Sequence, residues 1–194
     1  MTSDPAELRA LLDAPPPPDP VAEGPDADVE QVARTILLDQ LTGRARSRKE
    51  LADKLAARDV PADVASRLLD RFEEVGLVDD AAFARTWVDG RRSAKGLARR
   101  ALAQELRRKG VDDEVAREAL DEIEPDDETA TARALVRKRL RSLSGVEAPV
   151  ATRRLVGMLA RKGYSPGTAY AVVSDELRRQ GREVDDLDHD LGDD

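Results

Sequence analysis

The residues of this chain whose types and spacing could do chemistry are cations. Arg91, Arg92, Lys95, Arg99, Arg100, Arg107, Arg108 and Lys109 stand between positions 91 and 109 against one acid, Glu105. On a helix turning about 100° per residue, Leu102 and Leu106 fall on one face, while Arg100, Gln104, Arg107 and Arg108 share another. A basic face set apart from an apolar one is what a phosphate track or an acidic protein groove needs. Arg133, Arg137, Lys138, Arg139 and Arg141 form a second run, free of acids, and Arg153, Arg154, Arg161 and Lys162 a third. The candidate partner or DNA-binding surface is therefore Arg91, Arg92, Lys95, Arg100, Arg107, Arg108, Lys109, Arg137, Lys138, Arg153, Arg154, Arg161 and Lys162. Any one of these could belong to a solvated helix face; their joint bias points to a polyanionic partner. Arg99 lies nearer the leucine side and recurs as Arg48, which suits an ion-pair residue with a buried stem. Arginine outnumbers lysine 26 to 6, which fits planar, bidentate partners, although GC-rich coding gives the same excess.

Other chemistry finds little support. The sequence has no cysteine, so it has no thiol nucleophile, disulfide framework or cysteine zinc site. Its one histidine, His189, sits among acids near the end without a spaced ligand set. Nucleoside-phosphate, dinucleotide and nucleophile-elbow motifs are missing. No enzyme, metal or cofactor is expected. Asp79-Asp80 and Asp126-Asp127-Glu128 could be paired carboxylates or a divalent site, but each opens a helix, where negative charge meets the positive end of the dipole. Phe83 and Trp87, four apart, could be a stacking platform for bases; their repeat partners Val32 and Ile36 favour core packing instead.

The net charge of -8 hides a division. Residues 1–28 and 181–194 each carry -6, while 29–180 carry +4. The proline-rich 1–28 and the acidic 181–194 have too little apolar surface to pack and are expected to be disordered. They serve solubility, or screen the body against non-specific binding. No run is apolar enough to span a membrane and no signal peptide opens the chain, so a cytoplasmic, monomeric protein is expected.

The elements that must position the cations are all helical. Apolar residues recur at three and four, and alternating β-branched runs are missing. Helices are expected at 29–41, 48–58, 61–75, 80–92, 97–109, 112–123, 126–142, 149–162 and from 166. The capping box Ser47-Arg48-Lys49-Glu50, the stops Gly76, Gly110 and Gly163, and the Ser165-Pro166 start mark the ends. Residues 30–72 shifted by 51 give 12 identities in 43 positions, among them Ala33/Ala84, Arg48/Arg99, Leu51/Leu102, Leu55/Leu106, Val60/Val111 and Asp70/Asp121. A looser third copy places Ala132-Arg133 on Ala84-Arg85, Leu155 and Leu159 on Leu102 and Leu106, and 160–164 on 107–111. The expected fold is all-α, with three-helix repeats at 29–75, 76–123 and 124–180 stacked into an elongated, curved body. Such helix-turn-helix-like units could also act as a module binding DNA directly.

GLARRALAQELRRKGV, 96–111, resembles the G-x-x-R-[IL]-x-x-E-L-x-x-K-G-[IVL] segment of the RecX family, with Ala101 and Leu102 sharing the apolar position after the arginines. GLVDDAAFARTWVDGR, 76–91, and RRLVGMLARKGYSPGTAYAVV, 153–173, resemble two further family segments in the family's order. The N-terminal extension is outside the shared pattern. The resemblance implies tandem three-helix repeats and a role in DNA repair, recombination and the SOS response. It implies a regulator of the recombinase RecA that lies in the groove of the RecA filament on single-stranded DNA, limits its growth, and inhibits strand exchange, ATP hydrolysis and coprotease activity. Some members also bind DNA.

Overall fold

The helical periodicity is realised wherever the structure can be followed. A computed structural model describes residues 25–181, and every regular element among them is a helix. They are α1 (Pro25–Gly43), α2 (Arg48–Ala56), α3 (Ala62–Glu74), α4 (Asp80–Lys95), α5 (Arg99–Arg108), α6 (Asp113–Asp121), α7 (Pro125–Leu140), α8 (Ala148–Arg161) and α9 (Pro166–Arg179), with a 3-10 turn at Arg141–Leu143. The tails and His189 lie outside the described residues, except that 25–28 already belong to α1, where disorder was expected.

Local signals set most helix ends. The Ser47 hydroxyl accepts from the Glu50 amide at 3.2 Å, and the Ser47 amide donates to the Glu50 carboxylate at 3.4 Å, completing the capping box. Asp79, not Asp80, caps α4, accepting from the Ala82 amide at 2.8 Å. Ser165 caps α9 ahead of Pro166 at 3.0 Å. Asp126, Asp127 and Glu128 fill the first turn of α7 but do not cap it; Glu124 holds that position and Pro125 follows it. Pro61 stands just before α3 in an extended conformation rather than inside its first turn. Helix α5 begins at Arg99, two residues later than expected, because Ala98 is extended and its amide is engaged elsewhere.

Three apolar cores form, one per helix triplet. Ala33, Leu37, Leu51, Leu55, Val64, Leu68, Leu69 and Phe72 build the first. Phe83, Ala84, Val88, Leu102, Leu106, Ala116, Leu120 and Ile123 build the second. Val136, Leu140, Leu155, Leu159, Tyr164, Val172, Val173 and Leu177 are among the third. The leucine pairs Leu51/Leu55, Leu102/Leu106 and Leu155/Leu159 occupy the same i,i+4 face of each middle helix, and all six are fully buried. Two residues cross the expected boundaries: Val78 packs in the first core, and Ala98 packs in the third. The repeat alignment fails at one apolar site. Phe83 is buried, but its counterpart Val32 is 57% exposed, since α1 turns a different side of its first turns to the core.

The turn between the second and third helices of each triplet contains one left-handed residue: Asp59 (φ 57°), Gly110 (φ 75°) or Gly163 (φ 92°). At the last two, glycine answers a second need besides the dihedral. A Cβ on Gly110 would come within 2.4 Å of the Lys49 Cβ, and one on Gly163 within 2.6 Å of the Ala101 amide nitrogen. These turns are where one triplet meets the one before it.

Candidate functional site

The two junctions repeat one contact. At the first, the Ser47 hydroxyl donates to the Lys109 carbonyl at 2.6 Å, and the Arg48 amide donates to Asp80 Oδ1 at 2.8 Å. At the second, the Ala98 amide donates to the Lys162 carbonyl at 2.9 Å, and the Arg99 amide to Glu128 Oε2 at 3.3 Å. In both, the open N-terminus of a middle helix receives the carbonyl preceding the next unit's turn glycine. It also receives a carboxylate from the next unit's first helix, which satisfies amides that have no partner inside the helix. Burial pushes the Asp80 carboxyl above its ordinary value, although the Arg48 amide bonds to it. Tyr164, buried at the second junction, donates from Oη to the Gly96 carbonyl at 3.2 Å; burial, with Glu128 nearby, pushes its hydroxyl up to about 12.

Much of the predicted basic surface is spent on these junctions or inside one unit. Lys109 pairs with Glu50 of the first unit at 2.6 Å and lies over the Trp87 ring, 4.7 Å from its centroid. Burial opposes ionisation of Glu50, but the Lys109 ammonium, the Ser47 amide and Arg44 together hold its carboxyl below the usual range. Arg91 lies over the other part of the Trp87 environment, 4.1 Å from the ring centroid, and pairs with Glu105 at 3.0 Å. Trp87 stacks on Phe83 and donates to Glu105 at 2.9 Å. Cations and Phe83 therefore cover the ring, which packs against the second core as its repeat position suggested and is not an open platform for bases. Arg92 reaches Asp127 across the second junction at 3.8 Å, and the Lys162 ammonium bonds the Lys95 carbonyl. Within units, Arg107 pairs with Asp113 at 3.1 Å. Arg137 grips the buried Glu176 with two bonds of 2.8 and 2.9 Å, which hold that carboxyl low. Arg48 and Arg99 are the ion-pair residues their repetition suggested: Arg48 bonds Asp70 at 2.6 Å and Glu73 at 2.5 Å, and Arg99 bonds Asp121.

The rest of the predicted set has no acidic partner among the described residues. Lys95, Arg100 and Arg108 are exposed on the second unit, Arg108 bonding only the Gln104 carbonyl. On the third unit, Lys138, Arg153, Arg154 and Arg161 are exposed, and no side-chain partner is seen for them among the described residues. Arg153, Arg154 and Arg161 come together with Arg139, Gly157 and Met158 around an open hollow of about 560 Å³. Arg139 belongs to a basic run that was visible in the sequence, but only the fold shows it facing α8. The sequence reading also missed Glu50 as a junction residue; the shift of 51 between repeats was the one signal that related Ser47 to Ala98. No cluster of three or more potential metal ligands exists among the described residues. No described helix is long and apolar enough to cross a membrane.

Comparison with known proteins bears on this arrangement. Family models of the first, second and third three-helix domains of RecX match residues 33–72, 79–120 and 126–173. The regulatory protein RecX of Thermobifida fusca is 50% identical over 177 residues, covering 87% of this chain and 96% of that protein. Its namesake in Mycolicibacterium smegmatis is 47% identical over 184 residues, covering 93% of both. Among solved structures, RecX from Lactobacillus salivarius superposes with a TM-score of 0.71 at 23% identity, over 79% of this chain and 99% of that one. A second structure of a regulatory protein RecX gives 0.69 at 22%, over 90% and 79%. These two likenesses concern the fold.

Proposed function

The chain belongs to the RecX family of regulatory proteins, and from that premise we propose that it is a negative regulator of RecA. It binds the RecA filament on single-stranded DNA, limits the filament's extension, and lowers its recombinase, ATPase and coprotease activities. It acts as a cytoplasmic monomer and catalyses no reaction itself. The observation that carries this reading is the repeated junction. Three small cores joined by the same polar contact make a row of similar units, a form suited to a partner that is itself a repeating array. Charge supports it as well. The cations Lys95, Arg100, Arg108, Lys138, Arg153, Arg154 and Arg161, which have no acidic partner among the described residues, are exposed, where a polyanionic groove would attract them.

The test is the ATPase rate of RecA from the same organism on single-stranded DNA, with this protein added well below the RecA concentration. Filament capping or groove occupancy predicts a fall in rate at a small molar ratio, because one molecule then silences many subunits. If inhibition needs near-equal amounts, sequestration replaces the filament reading. If no ratio inhibits, the reading fails.

A further inference from the structure

We infer that the apolar groove on the first unit is a docking site for the chain's own N-terminal segment, residues 4–14. Among the described residues, the exposed large apolar side chains are Val32, Leu38, Val75 and Leu77, all on the first unit or the turn that leaves it. Leu38, Val75 and Leu77 join the buried Leu68 and Phe72 around an open hollow of about 240 Å³ between α1 and α3. That is small for a pocket that encloses a metabolite, but it gives aliphatic side chains a surface to lie on. The turn is not a loose one. The Gly76 amide donates to the Glu73 carbonyl at 2.9 Å and the Leu77 amide to the Phe72 carbonyl at 2.8 Å, so Val75 and Leu77 are held in place while exposed.

The repeated frame does not require these residues. The shift of 51 that relates the first two units sets Asp89, Asp126 and Glu128 where Leu38, Val75 and Leu77 stand. The same places are polar in the next copy, so the apolar groove is a property of the first unit alone. An exposed apolar surface that the fold does not need marks a contact with something else.

The occupant is argued from sequence, charge and reach. Residues 1–24 lead directly into α1, one wall of the groove. Asp4, Pro5 and Glu7 follow the order of helix cap, first-position proline and acid at the third position, and the prolines at 15–18 end the run. Between these signals Leu8, Leu11 and Leu12 keep the i, i+3, i+4 spacing of one helix face, with Glu7 and Asp13 to either side of it. A helix of about ten residues is not stable alone in water, and three leucines cannot make a core by themselves. The groove supplies the surface that the segment lacks. Arg34 from α1 and Arg71 from α3 line the two walls, and Arg71 has no acidic partner among the described residues. Residues 1–24 bring five acids against one arginine, Arg9. Leu38 stands 13 residues after Pro25, about 20 Å along the helix axis. The six residues PPPPDP, 15–20, span about 19 Å at the polyproline rise, the length needed to bring the leucines back along α1. A second copy fits less well, since a two-fold pairing of grooves would set Arg34 and Arg71 against their own counterparts.

The experiment uses the full chain without RecA, so its outcome is independent of the filament reading. The chain has no cysteine, and Ala10→Cys therefore gives a single attachment point for a nitroxide, on the side of the segment away from the leucines. Paramagnetic relaxation enhancement of backbone amides is then read by NMR. An undocked coil keeps the label roughly 20 Å from Pro25, and the enhancement peaks at the start of α1, at Asp28 and Val29. Docking predicts an enhancement several-fold greater at Leu38, Val75 and Leu77 than at Asp28 and Val29. Leu8→Ser, Leu11→Ser and Leu12→Ser together should return the maximum to the start of α1. Leu38→Ser with Val75→Ser, both at exposed positions, should do the same from the groove side, with circular dichroism checking that the helices remain. The inference is overturned if the maximum already lies at the start of α1 in the parent chain, or if it stays on the groove in the leucine variant. It is also overturned if spin-labelled chains broaden the groove of isotope-labelled chains that have no nitroxide, which would assign the groove to a second copy.

Discussion

Replacing one glycine by alanine at three positions should separate backbone strain from the cohesion of the junctions. Gly76, Gly110 and Gly163 all have left-handed backbones, with φ of 72°, 75° and 92°. Around Gly76 a Cβ meets nothing within 4 Å, so Gly76→Ala carries only the conformational cost, about 1 kcal/mol. At Gly163 the added carbon lies 2.6 Å from both the amide nitrogen and the Cβ of Ala101 and 3.1 Å from its Cα. Main-chain atoms of α5 cannot swing aside, so the second junction must open. That weakens the Ala98–Lys162 and Tyr164–Gly96 hydrogen bonds, each worth about 1 kcal/mol, for a total near 3 kcal/mol. Gly110→Ala should fall between, since it faces the Lys49 side chain, part of which can rotate away. Thermal unfolding followed by circular dichroism reads the series. At about 2–4 °C per kcal/mol for a chain of this size, Gly76→Ala lowers Tm by about 2–4 °C and Gly163→Ala by about 6–12 °C. Equal shifts for Gly76→Ala and Gly163→Ala would refute the claim that the second junction is held by this close approach.

The first junction should depend on pH, with Trp87 as its reporter. Glu50 has a folded pKa below its ordinary value of 4.5, so its pair with Lys109 contributes fully at neutral pH and is lost as pH falls through the folded value. Trp87 emission should change reversibly below about pH 4.5, and Glu50→Gln should remove that step while lowering neutral-pH stability by about 1–2 kcal/mol; a step that survives in Glu50→Gln would belong to another group. A second comparison sets Arg48→Met against Arg107→Met. Arg48 joins α2 to two acids of α3 with its side chain 30% exposed, whereas the Arg107–Asp113 pair is 69% and 75% exposed. Urea unfolding should show a loss of about 1 kcal/mol for Arg48→Met and under about 0.5 kcal/mol for Arg107→Met; the reverse order would show that exposure does not rank these pairs.

Helix ends were legible in the sequence where the signal is local. Ser47 and Glu50 stand three apart, Ser165 precedes a proline, and glycine follows a periodic run, so each stop or start is decided within a few residues. The cores were legible because Leu51/Leu55, Leu102/Leu106 and Leu155/Leu159 keep helical spacing. The fate of each cation was not, because its partner lies far along the chain. Lys109 belongs to a basic run, yet it is neutralised by Glu50, 59 positions earlier. Arg137 is neutralised by Glu176, 39 positions later. A count of charge within a run therefore overstates what the second unit offers a ligand. The third unit's run keeps its charge because α8 contains no acid, and among the described residues no carboxylate pairs with Arg153, Arg154 or Arg161. Ala98 misleads for a related reason. By position it belongs to the second unit, but its amide and methyl group serve the third, a contact for which a helical wheel has no place.

Each unit is small enough that its own core gives little margin of stability, so the junctions matter more than their size suggests. They are made chiefly of amides, carbonyls and carboxylates at defined distances. Such bonds are directional, and together with a few buried apolar contacts such as Ala98 in the third core they fix the orientation of one unit on the next. The same pattern at both junctions gives the body a regular register, while the charge it displays is not regular. Junction pairing neutralises Arg92 and Lys109, Glu105 of the same unit neutralises Arg91, and the four arginines around Gly157 have no acidic partner among the described residues. The exposed large apolar side chains Val32, Leu38, Val75 and Leu77 all lie at the opposite end of the chain, on the first unit or the segment that follows it. A body with a repeating frame and unlike ends has a direction. A partner that meets its units in sequence would therefore be met in one orientation, with the arginine hollow at one end and the apolar face at the other.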